Sequence, residues 1–312
     1  MKDSKIRLAL IAGGKSGERE VSLAGAQGVI QALDASRYDI RTYDPATELA
    51  AIIRDASTID VAFILLHGLL GEDGTVQGFL DLLDIPYQGS GVLGSAMAMD
   101  KNLAKTMYRL NGLPVAAWRM AIPEDAKQPE RLLDELDLPL VVKPVRQGSS
   151  LGMGIARDEK ELGKAISVAF EHDSQVMVEE YIHGREITAA VLGNDELTSL
   201  PLVEIIPSAE YDFFDYEAKY TKGASREICP AELSPELTRQ AQEYGLVAHR
   251  ALHLRGYSRT DMILDDRGKL YLLETNTIPG MTPTSLFPQA ARAAGLSFPA
   301  LLDRLIELAM SP

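Results

Sequence analysis

The stretch SRTDMILDDRGKLYLLETN carries the densest chemistry in the chain. Two β-like runs flank Asp265-Asp266-Arg267-Gly268. Side chains on a strand alternate faces with a period of two. Arg259 and Asp261 therefore share one face, and so do Glu274 and Asn276. A two-residue turn at Arg267-Gly268 sets Asp261 opposite Glu274 and Arg259 opposite Asn276; a bulge at Gly268 would shift that register. Two carboxylates and an amide oxygen then converge beside an arginine. Opposed carboxylates repel, so the pattern calls for a cation. All-oxygen ligands suit magnesium or manganese rather than zinc. The solvated polar face of an ordinary hairpin has the same pattern, and spacing alone leaves the two readings level.

Five more segments hold groups that could act. In VVKPVRQGSSLGMG a strand delivers Lys143, and Gly148, Gly152 and Gly154 follow in a loop. Glycines let backbone N–H groups approach an anion, and the lysine adds charge. A glycine-rich surface turn reads the same way. No Walker A loop is present: Gly14-Lys15-Ser16 has Ala9 where the earlier glycine is required. No G-x-G-x-x-G follows the first apolar run either, which weakens a dinucleotide reading. In Glu179-Glu180-Tyr181 and Gly184-Arg185-Glu186, a carboxylate ending an apolar strand would accept hydrogen bonds from a ribose; adjacent acids on a solvated surface would look alike. HGLLGEDGTVQG places His67, Glu72 and Asp73 in a loop after an apolar run, a favoured place for catalytic groups. Glu18, in GERE, stands in the matching place after the first run. There it would hold an ammonium group or complement a helix dipole. His249 and His253 lie four apart but have no third ligand nearby, which marks them as structural. YDFFDYEAKYTK, residues 211–222, reads as a lid closing Lys219 and Tyr220 over a site, or as a loop packing its aromatics on the body.

Positioning these groups falls to an α/β scaffold. Ile6 to Ile11 and Val61 to Leu66 are short continuous apolar runs, with a helical pattern over Val21 to Leu33 between them. Such strands alternating with helices imply a parallel sheet covered on both faces, with ligands beyond the carboxyl ends of its strands. A boundary is expected near Gly89-Ser90-Gly91. Helix is expected over Ser95 to Leu110 and Asp158 to Phe170, strand over Leu140 to Lys143 and Val176 to Tyr181, a strand pair near 259–275, and a last helix around Phe298 to Ala309. The 312 residues allow two to three domains. A net charge of −14 with no Lys/Arg run argues against nucleic acid. No apolar run approaches the ~20 residues that span a bilayer. The first residues lack a signal-peptide pattern, and the single cysteine, Cys229, excludes an internal disulfide and a cysteine zinc site. The setting expected is cytoplasmic.

Taken together, GEREVS, HGLLGEDGTVQG, MDKNLAK, VVKPVRQGSSLGMG, EEYIHGRE, YDFFDYEAKY and RTDMILDDRGKLYLLETNTIPGMTPTSLFP resemble the D-alanine–D-alanine ligases of the ATP-grasp superfamily. The runs stand in family order across most of the chain. The resemblance implies an N-terminal parallel-sheet, Rossmann-like domain that binds substrate (residues 1–95). A two-part ATP-grasp fold follows, with a central part (96–185) and a C-terminal part carrying metal site and lid (186–312). It implies ATP-driven joining of two D-alanines through a D-alanyl phosphate, for peptidoglycan precursors. Carried over residue by residue, Lys101 and Lys143 meet the nucleotide phosphates, and Ser150 joins the ATP-binding set. Glu179 and Glu186 bind adenosine, and Tyr181 and Ile182 lie near the adenine. Asp261, Glu274 and Asn276 hold two magnesium ions, which manganese would replace. Glu18 holds the first ammonium, near His67 and Glu72, and Ser149 links Glu18 to Tyr220. Arg259 and the Gly280 N–H stabilise the oxyanion. Ser285 and Leu286 meet the second carboxylate, and Lys219 reaches the phosphates as the lid closes. Tyr220 favours the dipeptide over an ester product. A homodimer is implied by the family alone. The alternatives are an ATP-grasp ligase taking a D-hydroxy acid or other second substrate, and a nucleotide-binding relative without turnover. An oxidoreductase lacks its glycine fingerprint.

Overall fold

The computed structural model describes residues 5–207 and 225–311. The lid segment 211–222, with Lys219 and Tyr220, lies outside them.

The N-terminal sheet follows from its apolar runs. Strands β1 (Ile6–Ile11), β2 (Tyr38–Tyr43) and β3 (Val61–Ile64) pair in parallel in the order β2-β1-β3. Leu8, Leu10, Val61 and Phe63 enter one core, while Ala9, Ile11, Ala62 and Ile64 enter another on the opposite face. A strand buried on both sides needs no polar alternation, which is why Leu8–Ile11 and Val61–Ile64 are apolar throughout. Helices α1 (Arg19–Ala32), α2 (Leu49–Asp55) and α3 (Thr75–Asp81) belong to this part.

The helix expected over Ser95 to Leu110 is two helices, α4 (Val92–Met99) and α5 (Lys101–Leu110). Asp100 breaks it: its backbone is extended, at φ −85° and ψ 102°, and its side chain accepts from Leu103 N at 2.9 Å. A capping aspartate starts a new helix more readily than it continues an old one.

The second sheet is antiparallel, in the order β4 (Trp118–Ala121), β7 (Val176–Glu180), β5 (Leu140–Pro144), β6 (Gly154–Ala156). Helix α6 (Glu130–Leu133) and α7 (Glu159–Phe170), capped by Asp158, belong to its layer. The third sheet runs β11 (Ser225–Ile228), β10 (Val203–Pro207), β8 (Gly184–Gly193), β12 (Gly256–Asp265), β13 (Leu270–Asn276), with β9 (Thr198–Ser199) beside β8. Helix α8 (Pro235–Ala251) packs on it. Its His249 is fully buried, with Nδ1 2.7 Å from Ser258 Oγ, and burial pushes it down to about 4; His253 lies beyond the helix. Helices α9 (Leu286–Ala293) and α10 (Phe298–Met310) return to the N-terminal sheet, where Phe287, Leu301 and Leu305 share the core of Leu8, Leu10 and Phe63.

The hairpin differs from expectation at its turn and agrees at its site. Asp265 N bonds to Lys269 O at 2.9 Å, so three residues, Asp266 to Gly268, form the loop instead of two. Gly268 takes φ +81° there, a conformation that favours glycine. Near the turn Met262 faces Leu272, one residue out of the expected register. A bulge at Leu273 then restores it: Asp261 faces Glu274 and Arg259 faces Asn276.

Candidate active site

An open cleft lies where the second and third sheets meet. Strand β5 presents Lys143, the end of β7 presents Glu179, β8 presents Glu186, and the hairpin presents Asp261 and Glu274. Lys101 enters from the first turn of α5, and Ser149, Ser150, Tyr181 and Ile182 also line the cleft. The apolar walls include Ala116, Val141, Met153, Ile155, Ile263 and the bulged Leu273. None of these was singled out in the sequence, because an apolar wall carries no signal that separates it from core.

The charges interlock. Arg259 holds both oxygens of Asp261, at 2.8 and 2.7 Å, and Asn276 Nδ2 donates to Asp261 at 3.1 Å. Burial works against the Arg259 charge, but Asp261 wins and holds the guanidinium above its ordinary range. Lys101 Nζ lies 3.3 Å from Glu274 and donates to Gln147 O at 2.8 Å. Glu179 is buried and pairs with both Lys143 and Lys105. Burial alone would raise it, yet the two ammonium groups bring it down to about 2. Sequence reasoning missed Lys105; its signal was the four-residue spacing from Lys101 in MDKNLAK, which puts both on one helix face.

Two carboxylates and an amide stand together at the hairpin. Among the described residues no set of three His, Cys, Asp or Glu side chains forms a metal cluster; Asn276 would add an amide oxygen to the two carboxylates. The oxygen donors suit a hard divalent cation, and the cations now on Asp261 and Glu274 show that these carboxylates attract positive charge. The residues fit magnesium.

A second group adjoins this cleft through the glycine-rich loop. Ser149 donates to Glu18 Oε1. Ser149 and Ser150 both hold left-handed backbone, at φ +51° and +58°, an uncommon conformation for residues with a Cβ. A Cβ on Gly148 would stand 3.3 Å from Glu18 Oε2, so a bare backbone suits that approach. Glu72 accepts from Gly68 N at 2.6 Å. His67 lines a separate cavity with Lys15, Ser16 and Leu70, yet it feels Glu18 and Arg259 electrostatically, and burial pushes it below its ordinary value. Gly280 faces Ser285, whose Oγ would sit 3.0 Å from a Cβ there. Ser285 precedes α9, which starts at Leu286, and its Oγ accepts from Thr282 N at 3.1 Å; helix N-termini favour carboxylates.

Burial, then the charge of Glu18, pushes Glu72 up to about 8. Such a carboxyl binds its proton more tightly folded than unfolded. Its contribution is present below the unfolded value of 4.5 and is lost as pH rises towards about 8. The expected result is a urea midpoint that falls between about pH 5 and pH 9 more steeply in the parent protein than in Glu72→Gln, which mimics the protonated form. Parallel slopes would mean that Glu72 is ionised throughout.

Known proteins share this architecture. The family model described as the D-ala D-ala ligase C-terminus matches residues 107–307, and the one for the D-ala D-ala ligase N-terminus matches 46–90. The chain is 59% identical over 98% of its length, and 95% of the relative's, to a D-alanine–D-alanine ligase of Desulfotalea psychrophila. It is 56% identical to that of Syntrophobacter fumaroxidans, covering 99% of each chain. A crystal structure of the Bacillus anthracis D-alanine–D-alanine ligase complexed with ATP superposes with a TM-score of 0.84 at 37% identity, covering 98% of this chain and 97% of that one. The VanG D-Ala:D-Ser ligase of Enterococcus faecalis gives 0.85 at 34%, covering 98% and 100%. Matched in both family regions and along nearly its whole length, the chain belongs to the D-alanine–D-alanine ligase family.

Proposed function

We propose that this chain joins two D-alanines to D-alanyl-D-alanine at the expense of ATP, supplying peptidoglycan precursors. The observation that carries the reading is the cleft between two antiparallel sheets, where Lys101, Lys143, Glu179, Glu186, Asp261 and Glu274 converge. A lysine-lined wall suits phosphates, and a strand-end carboxylate suits a ribose.

In the reading we favour, Glu18 orients the first D-alanine by its ammonium, with His67 and Glu72 behind it. A carboxylate oxygen of that substrate attacks the γ-phosphorus, the bond to the bridging oxygen breaks, and ADP departs. Lys101 and Lys143 offset the phosphate charge, with Ser150, while Tyr181 and Ile182 flank the adenine. Asp261, Glu274 and Asn276 would hold two magnesium ions, or manganese, which supply charge neutralisation at the triphosphate. The second amine then attacks the acyl carbon. Arg259 and the Gly280 N–H meet the oxyanion that develops, Ser285 and Leu286 hold the second carboxylate, and inorganic phosphate leaves. Ser149 ties Glu18 to the loop and, through Tyr220, to the lid that carries Lys219. Such a lid keeps water from the acyl phosphate.

A three-part division at residues 95 and 185 belongs to this proposal, supported by three sheets built from 6–64, 118–180 and 184–276. So do a homodimer and a cytoplasmic setting. Among the described residues no helix is long and apolar enough to cross a membrane.

The likeness to a D-Ala:D-Ser ligase supports one alternative, a different second substrate. Phosphate release with ATP, magnesium and a panel of D-amino and D-hydroxy acids, followed by product mass, separates the two. Release with D-alanine alone and the dipeptide mass is the expected result; no release with D-alanine removes the proposal.

A further inference from the structure

Lys105 is a buried ion-paired group to which the reaction above gives no task. Helix α5 sets it one turn beyond Lys101 on the same face. Lys101 lines the cleft; Lys105 is fully buried and does not. The Lys105 ammonium lies 2.5 Å from one oxygen of Glu179, and Lys143 takes the other. Trp118 closes a further side, with its ring centre 5.6 Å from Lys105 Nζ and its indole N–H held by Asn102 at 2.9 Å. The result is a row, Lys105–Glu179–Lys143, in which only the last two groups face the cleft.

The charge count decides what this row does. Two ammonium groups and one carboxylate leave one net positive charge. With Lys105 removed, Glu179 and Lys143 would cancel, and that part of the cleft would present no charge to an anion. Buried charges act strongly on one another because little water screens them. We propose that Lys105 is a positioning residue for the nucleotide: it balances Glu179 from behind, leaving the Lys143 ammonium positive towards the phosphates. The inference rests on the reading of the cleft as a nucleotide site with Lys143 at the phosphates.

Adenosine and ADP separate charge from shape, because adenosine lacks the phosphates. The readout is the ratio of the adenosine to the ADP dissociation constant, measured by calorimetry in magnesium buffer. Lys105→Met is expected to lower this ratio about tenfold. Glu179→Gln alone, which adds net positive charge, should raise it. The double variant Lys105→Met with Glu179→Gln keeps the original net charge and should return the ratio to within about twofold of the parent. Loss of an adenine contact by Glu179 cancels in the ratio. A lysine that merely supports the fold would weaken both ligands alike, so an unchanged ratio in folded Lys105→Met overturns the inference. If that variant does not fold, the double variant decides: a parental ratio supports the inference, and a ratio as high as that of Glu179→Gln alone, or one tenfold below the parent, overturns it. Should the parent protein bind neither adenosine nor ADP, the nucleotide reading itself fails.

Discussion

Glu274→Gln is expected to lower kcat at least ~100-fold, beyond the ~10–100-fold that outer partners of a metal site typically cost. The change keeps the shape and removes one negative charge. In the proposed arrangement Glu274 faces Asp261 across the hairpin and offers its oxygens to magnesium. An amide oxygen is a weaker ligand for a hard cation than a carboxylate. The magnesium concentration giving half-maximal rate should therefore rise with the loss of rate. Stability should change little, because Glu274 is partly exposed and its partner Lys101 keeps its bond to Gln147 O. Near-parental turnover at unchanged magnesium demand would remove Glu274 from the metal set.

Arg259→Lys is the second large effect. The guanidinium spans both oxygens of Asp261 from a mostly buried position. A lysine keeps the charge and cannot reproduce the planar fork. If Arg259 meets the developing oxyanion, kcat should fall by ~10²–10³-fold, the usual cost of one such donor. The KM for ATP should move far less. One charge-assisted hydrogen bond to Asp261 is also lost, worth about 1.5–3 kcal/mol, and a urea titration would register it. Turnover within about threefold of the parent would place the oxyanion elsewhere.

Several features of this architecture were legible in the residues. Runs such as Val61–Ile64 announce a doubly covered strand because every position is apolar. The expected facing of Asp261 and Glu274 rests on strand periodicity together with a two-residue turn at Arg267-Gly268. The pair does face, but by another route: the loop is one residue longer than expected, and the bulge at Leu273 offsets it. Turn type and bulge depend on local backbone dihedrals, which a pattern of side-chain polarity does not encode. The break at Asp100 was missed because Ser95 to Leu110 keeps a helical pattern across it, and only the capping bond reveals two helices. Lys105 was missed because lysine is ordinarily a surface residue; its burial depends on Glu179, which lies far along the chain. The union of His67 and Glu72 with Glu18 comes from the parallel sheet, which brings two loops to one edge.

The packing of α10 against β1 and β3 bears on how the chain acquires its shape. Leu8, Leu10 and Phe63 leave the ribosome before nearly everything else, yet one of their shelters is Leu301, Leu302 and Leu305. Contacts so distant in sequence form late and slow folding. During synthesis that side of the first sheet is an uncovered oily surface, the kind of exposure that chaperones recognise and that makes unfinished chains stick together.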